Sequence, residues 1–270
     1  MSGSDLRVVL VGWGAIGQRV AALLAERRPP RVVLAGVAVR DAGVVRPGWP
    51  AGAARVAGPD GLAALAPGLV VECAGRAAVM DWGRAALAAG ADFAPASTSA
   101  FTDGALLADL AARATAAGRQ VLIAPGALGG IDALAAAARL GLAEVRHEIV
   151  KPPAAWAGTA AEKLCDLAAL TAPLTFFDGT AAEAARDFPQ NANVAMITAL
   201  AGIGPARTRI ALVADPGAAG NAHRLRATGD FGTMTIALEN RPLATNPKSS
   251  ELTALALVRL IENRAAAVVL

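Results

Sequence analysis

Arg7-Val8-Val9-Leu10-Val11-Gly12-Trp13-Gly14-Ala15-Ile16-Gly17 sets the architecture of the first half of the chain. Its opening five residues are an apolar, β-branched run, the pattern of a strand buried on both faces. Three glycines follow at once in G-x-G-x-x-G spacing. Over residues 18–26, Val20, Leu23 and Leu24 then recur at helical spacing. In a strand–loop–helix setting each glycine has a task. Gly12 permits the tight turn, Gly14 lets a pyrophosphate approach the backbone, and Gly17 lets the helix lie close to the strand. The helix start offers free N–H groups and partial positive charge to phosphate. Gly12, Gly14, Ala15, Ile16 and Gly17 are therefore candidate dinucleotide contacts; the plain alternative is an ordinary glycine-rich turn.

The same alternation continues outward. Residues 31–39 read as a second strand, 61–66 as a helix, 69–73 as a strand and 76–89 as a helix. Strand 91–97, helix 102–117 and strand 120–124 follow. Strands separated by helices pair in parallel, because parallel neighbours need crossovers. Residues 1–125 are expected to form a doubly wound α/β Rossmann domain. Beyond them, residues 143–151, 207–214, 223–228 and 233–239 alternate polar and apolar, which predicts half-exposed strands in an antiparallel sheet. Helices are predicted at 160–169, 180–188, 193–201 and 250–267. The expected organisation is an α+β catalytic and dimerisation domain over 126–245. Residues 246–270 are expected to form a C-terminal helix packing back on the first domain.

Composition narrows the function classes. Of 270 residues, 55% are hydrophobic and 17% charged, the reverse of a disordered chain. A formal charge of +3 with no block of like charges is not a nucleic-acid footprint. The mean hydropathy of +0.46 comes from Ala, Val and Leu spread along the chain. No 18-residue apolar stretch runs unbroken, so no membrane span is expected. The start lacks a basic signal-peptide region, and a cytoplasmic protein is expected. Two cysteines, Cys73 and Cys165, read as reduced thiols rather than a disulfide scaffold. No Cys/His spacing suggests a metal, and no Gly-x-Ser-x-Gly elbow occurs.

The second strand ends Val39-Arg40-Asp41. Asp41 suits a ribose hydroxyl and Arg40 a 2′-phosphate, which leaves NAD and NADP both open. Only two histidines occur. His147, flanked by charges, reads as a solvated strand position. His223 precedes a strand, and its ordinary pKa of about 6.5 suits proton transfer near neutrality. The segment from Pro125 to Asp132 is either a ligand loop or a hinge. Asn191 and Asn193 stand at a predicted helix start, where one amide suffices as a cap. Asn246-Pro247-Lys248-Ser249-Ser250-Glu251 reads as the opening of the last helix, with Ser249 or Ser250 as cap. Lys248 there is a candidate carboxylate clamp with Ser249, or simply an exposed lysine.

Five segments together resemble the L-aspartate dehydrogenase family. They are Val11 to Gly17, Val71-Glu72-Cys73-Ala74-Gly75, Pro125 to Ala133, Phe188-Pro189-Gln190-Asn191-Ala192-Asn193-Val194-Ala195, and Asn246-Pro247-Lys248-Ser249-Ser250. Lys151-Pro152 and Phe177-Asp178-Gly179 match in order. The resemblance implies a Rossmann domain, an α+β domain that also dimerises, and reversible NAD(P)-dependent oxidation of L-aspartate. The product is iminoaspartate, which hydrolyses to oxaloacetate and ammonia or feeds NAD biosynthesis. It implies His223 as the catalytic histidine, Ala74, Gly75, Ala127 and Asn193 as cofactor contacts, and a homodimer. Trp13 stands where the family usually carries a smaller residue. The alternatives are a related imine or amino-acid reductase, akin to homoserine dehydrogenase or dihydrodipicolinate reductase, and a non-catalytic nucleotide sensor. No paired-histidine signature is visible in the sequence.

Overall fold

The computed structural model describes residues 5–43, 46–189 and 192–269. The chain divides into two compact units, Met1–Ala124 with Thr253–Leu270, and Pro125–Leu252.

In the first unit, strands β1 (Leu6–Val11), β2 (Val32–Ala38), β3 (Ala54–Val56), β4 (Leu69–Glu72) and β5 (Asp92–Pro95) form one sheet. All pairs are parallel, in the order β3-β2-β1-β4-β5. Val8, Val9 and Leu10 of β1, and Leu69, Val70 and Val71 of β4, are wholly buried. Central parallel strands are covered on both faces, so an unbroken apolar run is what they require. Helix α1 (Ala15–Arg27) crosses from β1 to β2 and α2 (Val79–Ala88) from β4 to β5, and α3 (Gly104–Ala117) follows β5. Asp103 caps α3, its carboxylate accepting from Ala105 N at 2.9 Å.

Two expectations in this unit are corrected. The helix expected over 61–66 is a pair of 3₁₀ turns, Pro59–Gly61 and Ala63–Leu65. Pro67 disfavours helical backbone at the residue before it, and Ala66 turns left-handed at φ 41°. The strand expected over 120–124 shrinks to one parallel bridge between Phe93 and Val121. Pro125 follows and has no N–H with which to extend a ladder.

The second unit holds β6 (Leu142–Lys151), β7 (Leu174–Thr180), β8 (Arg209–Ala214), β9 (Asn221–Gly229) and β10 (Gly232–Asn240), in the order β10-β9-β6-β8-β7. This sheet is mixed rather than antiparallel, because β6 and β8 run the same way. Helices α4 (Ile131–Ala137), α6 (Ala181–Asp187) and α7 (Ala192–Ala201) supply apolar side chains to its clusters; a short helix α5 (Pro153–Trp156) precedes β7. Leu134 clusters with Val145, Leu225 and Ala227, and Ala184, Ala195 and Ala199 cluster with Ile149, Ile210 and Leu212. The opposite face is charged. Asp178 binds Arg146 at 2.7 Å and Arg209 at 2.6 Å, and Arg224 lies 3.7 Å from Glu148. Those two guanidiniums hold the Asp178 carboxyl below its ordinary range.

The helix expected over 160–169 is a single 3₁₀ turn, Ala160–Lys163. Asp166 ends it by accepting from Ala168 N at 3.1 Å, an Asx turn. Residues 246–250 do not open the last helix. They form β12 (Asn246–Ser250), paired with β11 (Pro242–Leu243). Helix α8 (Glu251–Ala265) starts only afterwards, with Ser250 Oγ accepting from Leu252 N at 3.2 Å. Ala254, Leu257, Val258 and Ile261 of α8 join the core cluster built on β1 and α1. Among the described residues no helix is long and apolar enough to cross a membrane.

Candidate functional site

The glycine loop between β1 and α1 is shaped by its neighbours. Gly12 sits at φ +102°, and a Cβ there would stand 2.8 Å from Ala74 Cα. A Cβ on Gly17 would run into Gly12 O. Those two glycines are demanded by the protein's own packing. Gly14 is different: its φ of −81° suits any residue, and a Cβ would meet nothing within 4 Å. Its small size serves only a group that arrives from outside, at the N-terminus of α1, which has no acidic residue in its first turn. The loop thus fits a dinucleotide pyrophosphate. Trp13 is accommodated by leaning on Trp49, with ring centroids 5.3 Å apart.

Around this loop lies a cavity of about 750 Å³, lined by Gly12, Gly14, Ala74 and Gly75 together with three arginines, Arg40, Arg46 and Arg76. None of the three pairs with a carboxylate among the described residues. The Nε of Arg46 is buried without a partner. Asp41 does not line the cavity; its Oδ1 accepts from Gly43 N at 2.9 Å, closing its own turn. Arg46 and Arg76 escaped the sequence reading, because a lone arginine in a loop carries no pattern.

Glu72, wholly buried at the end of β4, builds the neighbouring wall. Its Oε1 accepts from Ala74 N at 2.6 Å, Gly75 N at 2.7 Å and Ser97 Oγ at 3.1 Å, and its Oε2 from Ser97 N at 3.1 Å. Burial raises its pKa against these bonds. Burial and the Glu72 charge also push the Cys73 thiol upward, so it is a poor nucleophile.

The second unit brings together what the sequence keeps far apart. His147 on β6 and His223 on β9 share the covered face of the sheet, with Ile149 opposite His223 and Leu225 opposite His147. The rings meet on the diagonal, His147 Nε2 to His223 Nδ1 at 3.1 Å. Thr198 of α7 completes the row: its Oγ1 lies 3.0 Å from His147 Nδ1 and donates to Val194 O at 3.1 Å. His147 is 0% exposed, which overturns its reading as a solvated position. Strand alternation is the reason: Arg146 and Glu148 occupy the charged face, so His147 faces inward with Val145 and Ile149.

Burial lowers His223 to about 4, helped by the charge of Lys151. Burial, with His223 beside it, holds His147 well below 6.5. Both imidazoles are therefore neutral at pH 7. Lys151, buried at the end of β6, places its ammonium 5.0 Å from the Trp156 ring centroid. It was seen in the sequence only as half of a Lys-Pro match.

Other candidates scatter. Ala127 is buried in the turn before α4, its carbonyl accepting from Asn240 Nδ2 at 2.8 Å. Asn193 is half-buried on α7. Ser249 in β12 accepts from Asn246 Nδ2 at 3.1 Å. Asn191 and the side chain of Lys248 lie outside the described residues.

A parallel sheet with a phosphate-binding glycine loop, joined in one chain to a mixed sheet carrying a neutral imidazole pair, defines an NAD(P)-linked oxidoreductase. A family model described as the NAD-binding domain of homoserine dehydrogenase matches residues 12–124, and one described as the C-terminal domain of aspartate dehydrogenase matches residues 132–264. The L-aspartate dehydrogenase of Brucella anthropi is 57% identical over 97% of this chain and 98% of its own length. That of Ruegeria pomeroyi is 42% identical over 98% and 95%. The chain belongs to the L-aspartate dehydrogenase family. Its fold is similar to that of the Thermotoga maritima aspartate dehydrogenase, with a TM-score of 0.78 at 24% identity, covering 98% of this chain and 99% of that one.

Proposed function

We propose that the chain catalyses the reversible, NAD(P)-dependent oxidation of L-aspartate to iminoaspartate, with hydrolysis to oxaloacetate and ammonia. The observation that carries this reading is the buried, neutral His223, in the part of the chain that matches the aspartate dehydrogenase C-terminal model. When bound, the nicotinamide supplies the acceptor for the hydride leaving the substrate Cα. His223 takes the proton that the amine gives up as the imine forms, and then serves the water that adds to the imine. Lys151 meets one substrate carboxylate, since a buried cation on the same strand face favours an anion. Lys248 and Ser249, with Asn191, are candidates for the other.

On the cofactor side, the glycine loop with Ala15, Ile16, Ala74 and Gly75 holds the pyrophosphate, and Ala127 and Asn193 the nicotinamide end. Arg40 takes the 2′-phosphate in company with Arg46 and Arg76, so NADP(H) binds more tightly than NAD(H). Asp41, already used in its own turn, is a weak partner for a ribose hydroxyl. The free Cys73 and Cys165 suit a reducing, cytoplasmic compartment. A homodimer and a role in NAD biosynthesis rest on the family resemblance.

The test is the oxidation of NADH, and separately NADPH, with oxaloacetate and ammonium at mildly alkaline pH. Turnover that needs both substrates supports the assignment. Turnover without ammonium defines a keto-acid reductase instead, and cofactor binding with no turnover defines a sensor or a different imine substrate.

A further inference from the structure

We infer that His147 is a positioning residue: it fixes His223 as the tautomer protonated on Nδ1, and so leaves Nε2 as the proton acceptor. The inference builds on the reading of His223 as the acid/base. It follows from counting protons along one row of atoms. A neutral imidazole carries a single N–H, and both rings are buried and neutral.

The row begins at a group with no choice. Val194 O can only accept, and Thr198 Oγ1 lies 3.1 Å from it, so the one hydroxyl proton goes there. Thr198 Oγ1 then meets His147 as an acceptor, and the 3.0 Å contact takes its proton from His147 Nδ1. With its N–H spent, His147 presents a lone pair at Nε2. The 3.1 Å contact to His223 must then be an N–H donated by His223 Nδ1. His223 Nε2 is left unprotonated. The opposite polarity forfeits the Thr198–Val194 bond and places the proton on Nε2, where it blocks the base. A helix carbonyl thus selects, through a hydroxyl and a second ring, which nitrogen of His223 works.

The partner's lack of charge matters as well. A carboxylate behind a catalytic histidine fixes its tautomer but also favours the imidazolium. A neutral imidazole fixes the tautomer without that pull, in keeping with a His223 held down to about 4.

The experiment compares His147→Leu and His147→Gln in the full chain, with ¹⁵N-histidine spectra of the native protein. Only two histidines contribute to those spectra. In the native protein His223 should carry its proton on Nδ1. His147→Leu should lower kcat on the order of 10²-fold. KM for L-aspartate and Kd for the cofactor should stay within about threefold, because the group lost touches neither ligand. His147→Gln, whose amide oxygen can accept the Nδ1 proton, should recover about tenfold of that loss. A native His223 protonated on Nε2 overturns the inference, as does a His147→Leu enzyme within about threefold of native kcat. Equal losses of kcat and thermal stability in both variants overturn it too, by showing a role in packing alone. If His147→Leu does not fold, His147→Gln and the spectra decide. Failure of the acid/base reading itself shows separately, as a His223→Ala enzyme that keeps its turnover.

Discussion

The two units solve their chemical problems with different parts of the chain. In the first, the pyrophosphate falls to backbone: N–H groups at the start of α1, and glycines whose missing side chains make room. In the second, it falls to side chains from β6, α7 and β9, residues 147, 198 and 223, which meet only when strand register and helix placement are both right. Backbone chemistry is local in sequence and tolerant of tuning elsewhere. Side-chain chemistry assembled across a sheet is hidden in sequence and sensitive to single atoms.

The sharpest way to break this contrast is His223→Ala. It should lower kcat on the order of 10³-fold with cofactor affinity unchanged, read by steady-state turnover and cofactor titration. Next comes a pair of glycines. Gly14→Val should weaken cofactor binding by about 10²-fold without lowering Tm, since nothing in the protein opposes the side chain. Gly17→Val should instead lower Tm outright, because its Cβ collides with Gly12 O. Calorimetry beside cofactor titration separates the two outcomes; a Gly14→Val protein that binds normally breaks the account of the loop.

Arg40→Ala should cost about tenfold in Kd for NADPH and little for NADH. Equal losses for the two would remove it from the 2′-phosphate.

Acid stability tests the second unit without any substitution. His223 titrates near 6.5 when unfolded and near 4 when folded, so between those values the unfolded chain binds more protons. Stability is full above pH 6.5 and is lost as pH falls through that window, by up to about 1.4 kcal/mol per pH unit for each such histidine. For the same reason the acid limb of kcat/KM should fall well below pH 6.5. Urea melts and rate profiles from pH 4 to 8 read both.

How much of this was legible follows the same division. The glycine loop, the first parallel strands and the capped helix after Asp103 were readable because each signal sits within a dozen residues. Strand β7 was missed: Leu174-Thr175-Phe176-Phe177-Asp178-Gly179-Thr180 has no alternation, and it lies at the sheet edge. Three-residue β3 is too short to show a period. The pairing of His147 with His223, 76 residues apart, could not be seen without the register. The inward direction of His147 could have been: charges at 146 and 148 already marked the other face. Pro67 and Asp166 stopped two expected helices, local signals outweighed by alanine-rich surroundings.

One feature of the first unit reaches beyond catalysis. Gly14 enlarges the freedom of the unfolded chain by about 0.5–1 kcal/mol relative to alanine, at a position whose folded backbone has no need of it. That small loss leaves room for a nucleotide, and a nucleotide bound only to the folded state makes the free protein the less durable form. Ligand at a hundred times its Kd adds about 2.7 kcal/mol of resistance to unfolding. The supply of cofactor in its surroundings thus acts on the survival of the molecule as well as on its rate, and a purified sample kept without nucleotide should age faster under protease than one kept with it.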